Sequence, residues 1–354
     1  MKRIVFTGGG TAGHVTPNIA LIARLKQDGY DIHYIGSYEG IEKELITKIG
    51  IPYYGISSGK LRRYFDIKNF TDPFKVLKGY QEAKKLMKKL NPDIVFSKGG
   101  FVAVPVVLAA HKRKIPVIIH ESDMTPGLAN KICLPSATKV CANFPEAVNY
   151  LPKDKAVVTG TPIRKELFAG NRIKGLEFCG FSANMPVLLV VGGSTGAVKV
   201  NEAVRNLLPT LIKNFQVIHL CGKGKTDKNY IGMDNYVQFE YISKELSDLF
   251  AAADIVISRA GANAICELLA LKKPNILIPL SANASRGDQI LNADSFEHQG
   301  FSYVIKEEDL TNETLLEAVE TVYEKRGSYI HAMENASQND ATETIVKLIK
   351  EVQR

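Results

Sequence analysis

The chain has 354 residues, 45% of them hydrophobic and 23% charged, values of a globular protein with room for two domains and not of a disordered or fibrous one. Its cysteines, at 133, 141, 179, 221 and 266, are odd in number and form no C-x-x-C pair, which fits a reducing compartment better than a disulfide framework. The net charge of +8 is uneven: through Arg164 there are 25 Lys+Arg against 13 Asp+Glu, beyond it 20 against 24, so the first half seeks an anionic partner, a nucleic acid or a membrane surface, unless its lysines are simply a solvated face.

Along the chain, the apolar run Ile4 to Phe6 is too short for a signal peptide, and no stretch approaches the ~18 apolar residues of a membrane span. Short β-branched runs alternate with helical segments, the pattern of parallel sheets covered by helices. Strands are expected at 3–7, 31–36, 93–97, 116–120 and 139–141, then at 187–191, 216–220, 236–239, 254–258, 275–279 and 303–305. The expected organisation is an N-terminal Rossmann-like domain over 1–160, a linker over 161–186 where Pro162, Gly170, Gly175, Gly180 and Pro186 cluster, and a second Rossmann-like domain over 187–328. Residues 329–354 read as a polar helix able to pack on either domain, the N-terminal one included.

The first strand runs into Thr7-Gly8-Gly9-Gly10-Thr11-Ala12-Gly13-His14, with Thr16 expected to cap the next helix and Pro17 to start it. Glycines there let the backbone approach a phosphate, and a helix N-terminus offers unpaired N–H groups. Gly8, Gly10 and Gly13 also satisfy the dinucleotide pattern G-x-G-x-x-G, but the second strand ends in Ile35-Gly36-Ser37, with no acid to grip a ribose. His14, at the mouth of the turn, is a candidate base, or else a helix-start histidine bonded to nearby backbone. A second pair, Gly99-Gly100, precedes Phe101, and His120-Glu121-Ser122-Asp123 follows the next strand at the same sheet edge. Ser122 and Asp123 also suit caps and turns.

The second half repeats the device in Gly192-Gly193-Ser194-Thr195-Gly196 and in Ser258-Arg259-Ala260-Gly261-Ala262-Asn263-Ala264-Ile265-Cys266-Glu267. Helix N-terminal N–H groups at 262 to 264 suit a phosphate, and Glu267 could accept ribose hydroxyls or merely favour the helix dipole. Arg164 could contact a diphosphate, and Ser285-Arg286-Gly287-Asp288-Gln289 could read sugar hydroxyls.

The ordered set G-G-T-A-G-H-x-x-P, S-K-G-G-F, H-E-S-D-M-T-P-G-L-A-N-K, G-G-S-T-G-A, R-A-G-A-N-A-I-C-E and R-G-D-Q-I-L-N-A, reaching to about residue 300, resembles the MurG family of N-acetylglucosaminyltransferases. The resemblance implies an α/β GT-B fold, two doubly wound Rossmann-like domains across a cleft, the C-terminal one for UDP-N-acetylglucosamine and the N-terminal one for an undecaprenyl-diphosphate-linked muramoyl-peptide. It implies inversion at the anomeric carbon and no metal or other cofactor for the transfer. By motif position, Glu267 would hold the ribose, Gly193, Ser194 and Arg164 the diphosphate, Ala262, Asn263 and Ala264 the donor, Gln289 the sugar, and the backbone near Ile242 the uracil. Thr11, Ala12 and Gly13 would border the donor, while Gly10, Gly13, His14, Gly99, Gly100 and Phe101 would line the acceptor. His14 is the implied base and Asp123 a second catalytic candidate. Three positions depart from many relatives: Ala12 for glycine, Asp123 for asparagine, Ala264 for threonine.

The basic half then acquires an expected partner, an anionic membrane surface at the cytoplasmic face, and no nucleic acid. A helix started by Thr71-Asp72-Pro73 would put Phe70, Phe74, Leu77 and Tyr80 on one side with Lys75 and Lys78 beside them. Spacing alone allows that stripe to face the core instead. Other GT-B chemistry, such as glycolipid glycosylation or UDP-sugar epimerisation, remains an alternative, as do an NAD-dependent oxidoreductase and a non-catalytic sugar-nucleotide binder.

Overall fold

The structure, a computed structural model, describes residues 1–59, 68–193, 196–282, 287–336 and 340–354, and of residues 68–73 the backbone alone. The chain divides into two compact units, Met1–Arg164 with Gln338–Arg354, and Lys165–Ser337.

In the first unit, β1 (Arg3–Thr7), β2 (Asp31–Ser37), β3 (Tyr53–Ile56), β4 (Ile94–Ser97), β5 (Val117–Glu121), β6 (Lys139–Ala142) and β7 (Ala156–Val158) form one sheet. Its order is β3-β2-β1-β4-β5-β6-β7, with every pair parallel. Helices α1 (Thr16–Gln27), α2 (Ile41–Lys48), α3 (Lys68–Leu90), α4 (Ala103–Lys112) and α5 (Leu128–Cys133) connect the strands. The central strands are continuous apolar runs because helices cover both faces; Ile4, Val5, Phe6, Ile94, Val95 and Phe96 are all fully buried.

The second unit has β8 (Val187–Val191), β9 (Gln216–Leu220), β10 (Tyr236–Phe239), β11 (Ile255–Ser258), β12 (Asn275–Leu277) and β13 (Ser302–Val304) in the order β10-β9-β8-β11-β12-β13, again all parallel. Its helices are α6 (Arg172–Cys179), α7 (Val198–Leu211), α8 (Leu246–Ala252), α9 (Ala262–Ala270), α10 (Asp288–His298), α11 (Asn312–Glu324) and α12 (Arg326–Asn335). The last helix, α13 (Ala341–Val352), puts Ile345, Val346 and Ile349 into the first unit's core beside Leu21, Leu25 and Phe6.

Each sheet winds outward from its first strand and then crosses to that strand's other side. The reversal leaves a switch point between the carboxyl ends of β1 and β4, and another between those of β8 and β11, the places where open α/β sheets hold ligands.

Several boundaries differ from the sequence expectation. Edge strands β3 and β7 were not expected; they are short and mostly half-buried at one sheet margin each, β3 interrupted by Gly55 and β7 only three residues long. Of the stretch 161–186, residues 161–164 close the first unit and the rest belongs to the second. The units meet at Arg164 and Lys165, and α6 lies against α8 so closely that a Cβ on Gly175 would come 2.3 Å from the Asp248 carbonyl oxygen. Beyond the border the glycines punctuate a helix: Asn171 Oδ1 caps α6 by accepting from Lys174 N at 3.1 Å, and Gly180 ends it at φ +68°. The single helix expected over 329–354 is two, α12 in the second unit and α13 in the first. Helix α3 starts at Lys68, ahead of Thr71.

Candidate active site

In the first unit, β1 and β4 lie in register with Thr7 opposite Ser97, so their two glycine turns are neighbours. Gly99 and Gly100 hold φ of +92° and +82°, and a Cβ on Gly100 would stand 2.3 Å from the Gly9 carbonyl oxygen. Only glycine allows both that backbone and that approach. Glu42, fully buried at the start of α2, ties the first turn to the end of β2: its carboxylate accepts from Gly10 N at 3.1 Å, Ser37 N at 3.0 Å and Ser37 Oγ at 2.5 Å.

After Thr11 the chain makes a short 3-10 turn, Ala12–His14, and then enters α1 with Pro17 in its first turn. Ala12 avoids positive φ, so the departure from glycine there carries no backbone strain. Thr16 is not the cap; its hydroxyl donates back to Ala12 O at 2.8 Å. Half-buried His14 has Nδ1 3.0 Å from Gly9 O and 3.2 Å from Thr11 Oγ1. A carbonyl oxygen only accepts, so Nδ1 carries the hydrogen and Nε2 the lone pair. Burial first, then the positive charge of Lys98, pull this imidazole below its ordinary 6.5, against the Gly9 bond and the Asp123 and Glu42 carboxylates. The result is a neutral ring with a proton-accepting nitrogen at physiological pH.

The loop after β5 is built on Glu121. Its buried carboxylate accepts from Ser122 N (2.8 Å), Asp123 N (3.1 Å), Gly127 N (3.0 Å) and Asn130 Nδ2 (2.8 Å), which accounts for the H-E and G-L-A-N parts of one motif as architecture. Asp123 sits partly exposed on that loop, close enough to influence His14 electrostatically. Phe101 is half-buried just ahead of α4, which begins at Ala103.

In the second unit Val191 lies opposite Ser258, which sets the Gly193 turn beside the turn 259–261. Gly193, at φ +81°, is exposed with open space where a side chain would be; Ser194 lies outside the described residues. Gly261 caps α9, so Ala262, Asn263 and Ala264 form its first turn, and Glu267 follows on the same helix, half-buried. Arg259 donates to Ile278 O at 3.0 Å and pairs with buried Glu307 at 2.7 Å. Gln289, on α10, accepts from Leu280 N at 3.0 Å through Oε1. Ile242 is half-buried beyond β10, two strands from β8 at the same sheet edge. Arg164 closes the first unit and is half-buried. Of the described residues, the turns at Gly10 and Gly99-Gly100 flank the switch point of the first sheet and those at Gly193 and Gly261 that of the second, whereas Asp123, Arg164, Ile242 and Gln289 follow other strands.

These motifs and this topology are matched by known proteins. The N-terminal domain of glycosyltransferase family 28 matches residues 4–142 and its C-terminal domain residues 187–351. A UDP-N-acetylglucosamine–N-acetylmuramyl-(pentapeptide) pyrophosphoryl-undecaprenol N-acetylglucosamine transferase of Lachnoclostridium phytofermentans is 79% identical over 352 residues, 99% of each chain. The chain belongs to the MurG family. The equally named enzyme of Lachnospira eligens is 67% identical over 99% of each chain. The crystal structure of Acinetobacter baumannii MurG superposes with a TM-score of 0.79 at 27% identity, covering 99% of this chain and 100% of that one. As a MurG-family member the chain is a glycosyltransferase with the GT-B fold.

Three groups in this MurG-family site lay outside the sequence reading: Glu42, Lys98 and the Arg259–Glu307 pair. Lys98 and Arg259 had a visible signal, as the lone charge in S-K-G-G-F and the opening charge of R-A-G-A-N-A-I-C-E.

Helix α3 resolves the two-sided reading of its apolar residues. Gly79, Ala83, Met87 and Leu90 face the core, whereas Phe74 and Leu77 are 75% and 59% exposed, flanked by exposed Lys75 and Lys78. Tyr80 is half-buried, with Lys84 Nζ 5.7 Å from its ring centroid; the Phe70 side chain lies outside the described residues. No described helix is long and apolar enough to cross a membrane.

Proposed function

We propose that this chain transfers N-acetylglucosamine from UDP-N-acetylglucosamine to the 4-hydroxyl of an undecaprenyl-diphosphate-linked N-acetylmuramoyl-peptide, with inversion and without a bound metal. The carrying observation is 79% identity over 99% of the chain to an enzyme whose name states both substrates. The glycine turns at both switch points supply anion cradles that suit two diphosphates.

On the acceptor side, Gly10, Gly13, Gly99, Gly100 and Phe101 receive the lipid-linked diphosphate and sugar, and His14 Nε2 takes the proton of the attacking 4-hydroxyl. Asp123 acts on the charge of that imidazole. The new bond joins the acceptor oxygen to the anomeric carbon as the bond to the diphosphate breaks. UDP leaves with the electron pair.

On the donor side, N–H groups of Ala262, Asn263 and Ala264, the turn at Gly193 and Ser194, and Arg164 stabilise that developing charge. Thr11, Ala12 and Gly13 border the transferred sugar. Glu267 accepts the ribose hydroxyls, the Ile242 backbone meets uracil, and Gln289 reads the sugar through its amide N–H groups, its oxygen being held by Leu280 N. The exposed face of α3, Phe74 and Leu77 with Lys75 and Lys78 and with Phe70 and Tyr80 to either side, rests on an anionic membrane at the cytoplasmic face, where the lipid acceptor resides. Nucleic acid is not a partner.

Product analysis tests this reading. Labelled UDP-N-acetylglucosamine given with the lipid acceptor should place label in the lipid fraction through a β linkage. Label appearing as another UDP-sugar, or in lipid through an α linkage, contradicts it.

A further inference from the structure

Lys98, directly after β4, is buried to 1% exposure, a place a lysine takes only when its ammonium group is well paired. Its Nζ lies 2.7 Å from His120 Nδ1 and donates to Ser122 Oγ. The other ring nitrogen of His120 is 2.9 Å from Gly160 O and must therefore carry the hydrogen, which leaves Nδ1 as the acceptor for Lys98. Burial and then Lys98 keep this ring well below its ordinary 6.5, hence neutral and able to accept. Ser122 is fixed in turn, its carbonyl accepting from Asn143 Nδ2 at 2.9 Å.

The same lysine underlies the first glycine turn. Its backbone N–H donates to Thr7 O at 3.0 Å. A Cβ on Gly8 would lie 3.2 Å from the Lys98 Cβ on one side and 2.7 Å from the His14 carbonyl oxygen on the other. Among the described residues, the charged groups that act on the His14 ring include Lys98, Asp123 and Glu42, and of these Lys98 opposes a positive charge there.

We propose that Lys98 is a positioning residue for the acceptor-side base: its ammonium group pins the loop after β5 beneath the first glycine turn and holds a fixed positive charge behind His14. The loop that carries Asp123 and the turn that carries His14 are thereby set against each other by one buried side chain. The charge favours the neutral imidazole before attack and hastens loss of the proton afterwards. The proposal rests on His14 being the base.

The test compares Lys98→Met, which removes a buried charge at similar volume, with Lys98→Gln, which keeps a donor for His120 but no charge. His14 is followed by NMR titration of the full chain, and kcat/KM for the lipid acceptor is measured against pH. Both variants should raise the His14 midpoint by roughly half a unit or more and move the acid limb of the profile with it. Lys98→Met should also lower kcat roughly 10-fold through misplacement, with a smaller loss in Lys98→Gln and the KM for UDP-N-acetylglucosamine unchanged. A midpoint at the wild-type value in both variants overturns the role of Lys98. If His14→Ala abolishes transfer while the Lys98 variants titrate as wild type, the Lys98 role fails and the base assignment stands. If His14→Ala keeps transfer, the base assignment itself fails.

Discussion

At the scale of single residues, the role proposed for His14 as the base turns on which of its nitrogens carries a proton. Gly9 O claims Nδ1–H, so the lone pair is on Nε2, and burial with Lys98 keeps the ring neutral. Replacing His14 with alanine should cost roughly 10²- to 10⁴-fold in kcat, the ordinary worth of a positioned base, while calorimetry finds UDP-N-acetylglucosamine binding unchanged. A base must be unprotonated, and a lowered pKa extends that state to lower pH. The acid limb of kcat/KM should therefore fall below pH 6.5, and a limb at or above 6.5 would contradict the assignment. His14 was legible because it adjoins its own glycine turn. The partners of Lys98, Glu42 and Glu307 were not, because they lie far along the chain: Lys98 meets His120 and Ser122 at separations of 22 and 24 residues, and Glu42 meets Gly10 at 32. No local pattern encodes such pairs.

At the scale of elements, α3 shows why an apolar stripe does not declare its own direction. Two faces of this helix repeat every three to four residues, and the one with smaller side chains is the buried one. A Cβ on Gly79 would stand 2.0 Å from the Ser57 carbonyl oxygen, so the helix needs a glycine to seat itself on the chain after β3. Phe74 and Leu77 are thereby left outward. Changing both to aspartate should abolish flotation with anionic vesicles and leave the thermal midpoint within about 2 °C of wild type, since exposed positions contribute little to stability. Retained flotation would remove α3 from the membrane assignment. The sequence disclosed the long central strands, whose apolar runs are unbroken, but not β3 and β7, whose half-buried edge positions need no such run.

At the scale of the whole molecule, two winding reversals place two switch points, and the glycine turns that follow β1, β4, β8 and β11 announced both in the sequence. Composition misled at the joins. Pro162 still belongs to the first unit, the glycines at 170, 175 and 180 seat and end local elements of the second, and the polar C-terminal stretch hides an apolar face that completes the first. Ending the chain at Asp340 would remove Ile345, Val346 and Ile349 from the first unit's core, a loss on the order of 5 kcal/mol at ~1.5–3 kcal/mol for each buried side chain. Stepwise proteolysis of that truncated chain should degrade the first unit while the fragment from Lys165 onward persists; equal resistance of both units would refute the assignment of α13 to that core.

The central claim is that sugar leaves UDP only as it is joined to a lipid-linked acceptor. Release of UDP from UDP-N-acetylglucosamine, followed with and without an undecaprenyl-diphosphate-linked muramoyl-peptide and with a metal chelator present, tests it most directly. The account predicts release that rises with acceptor concentration, persists in chelator and is lost in His14→Ala. UDP release independent of acceptor, or no release when both substrates are supplied, would contradict it.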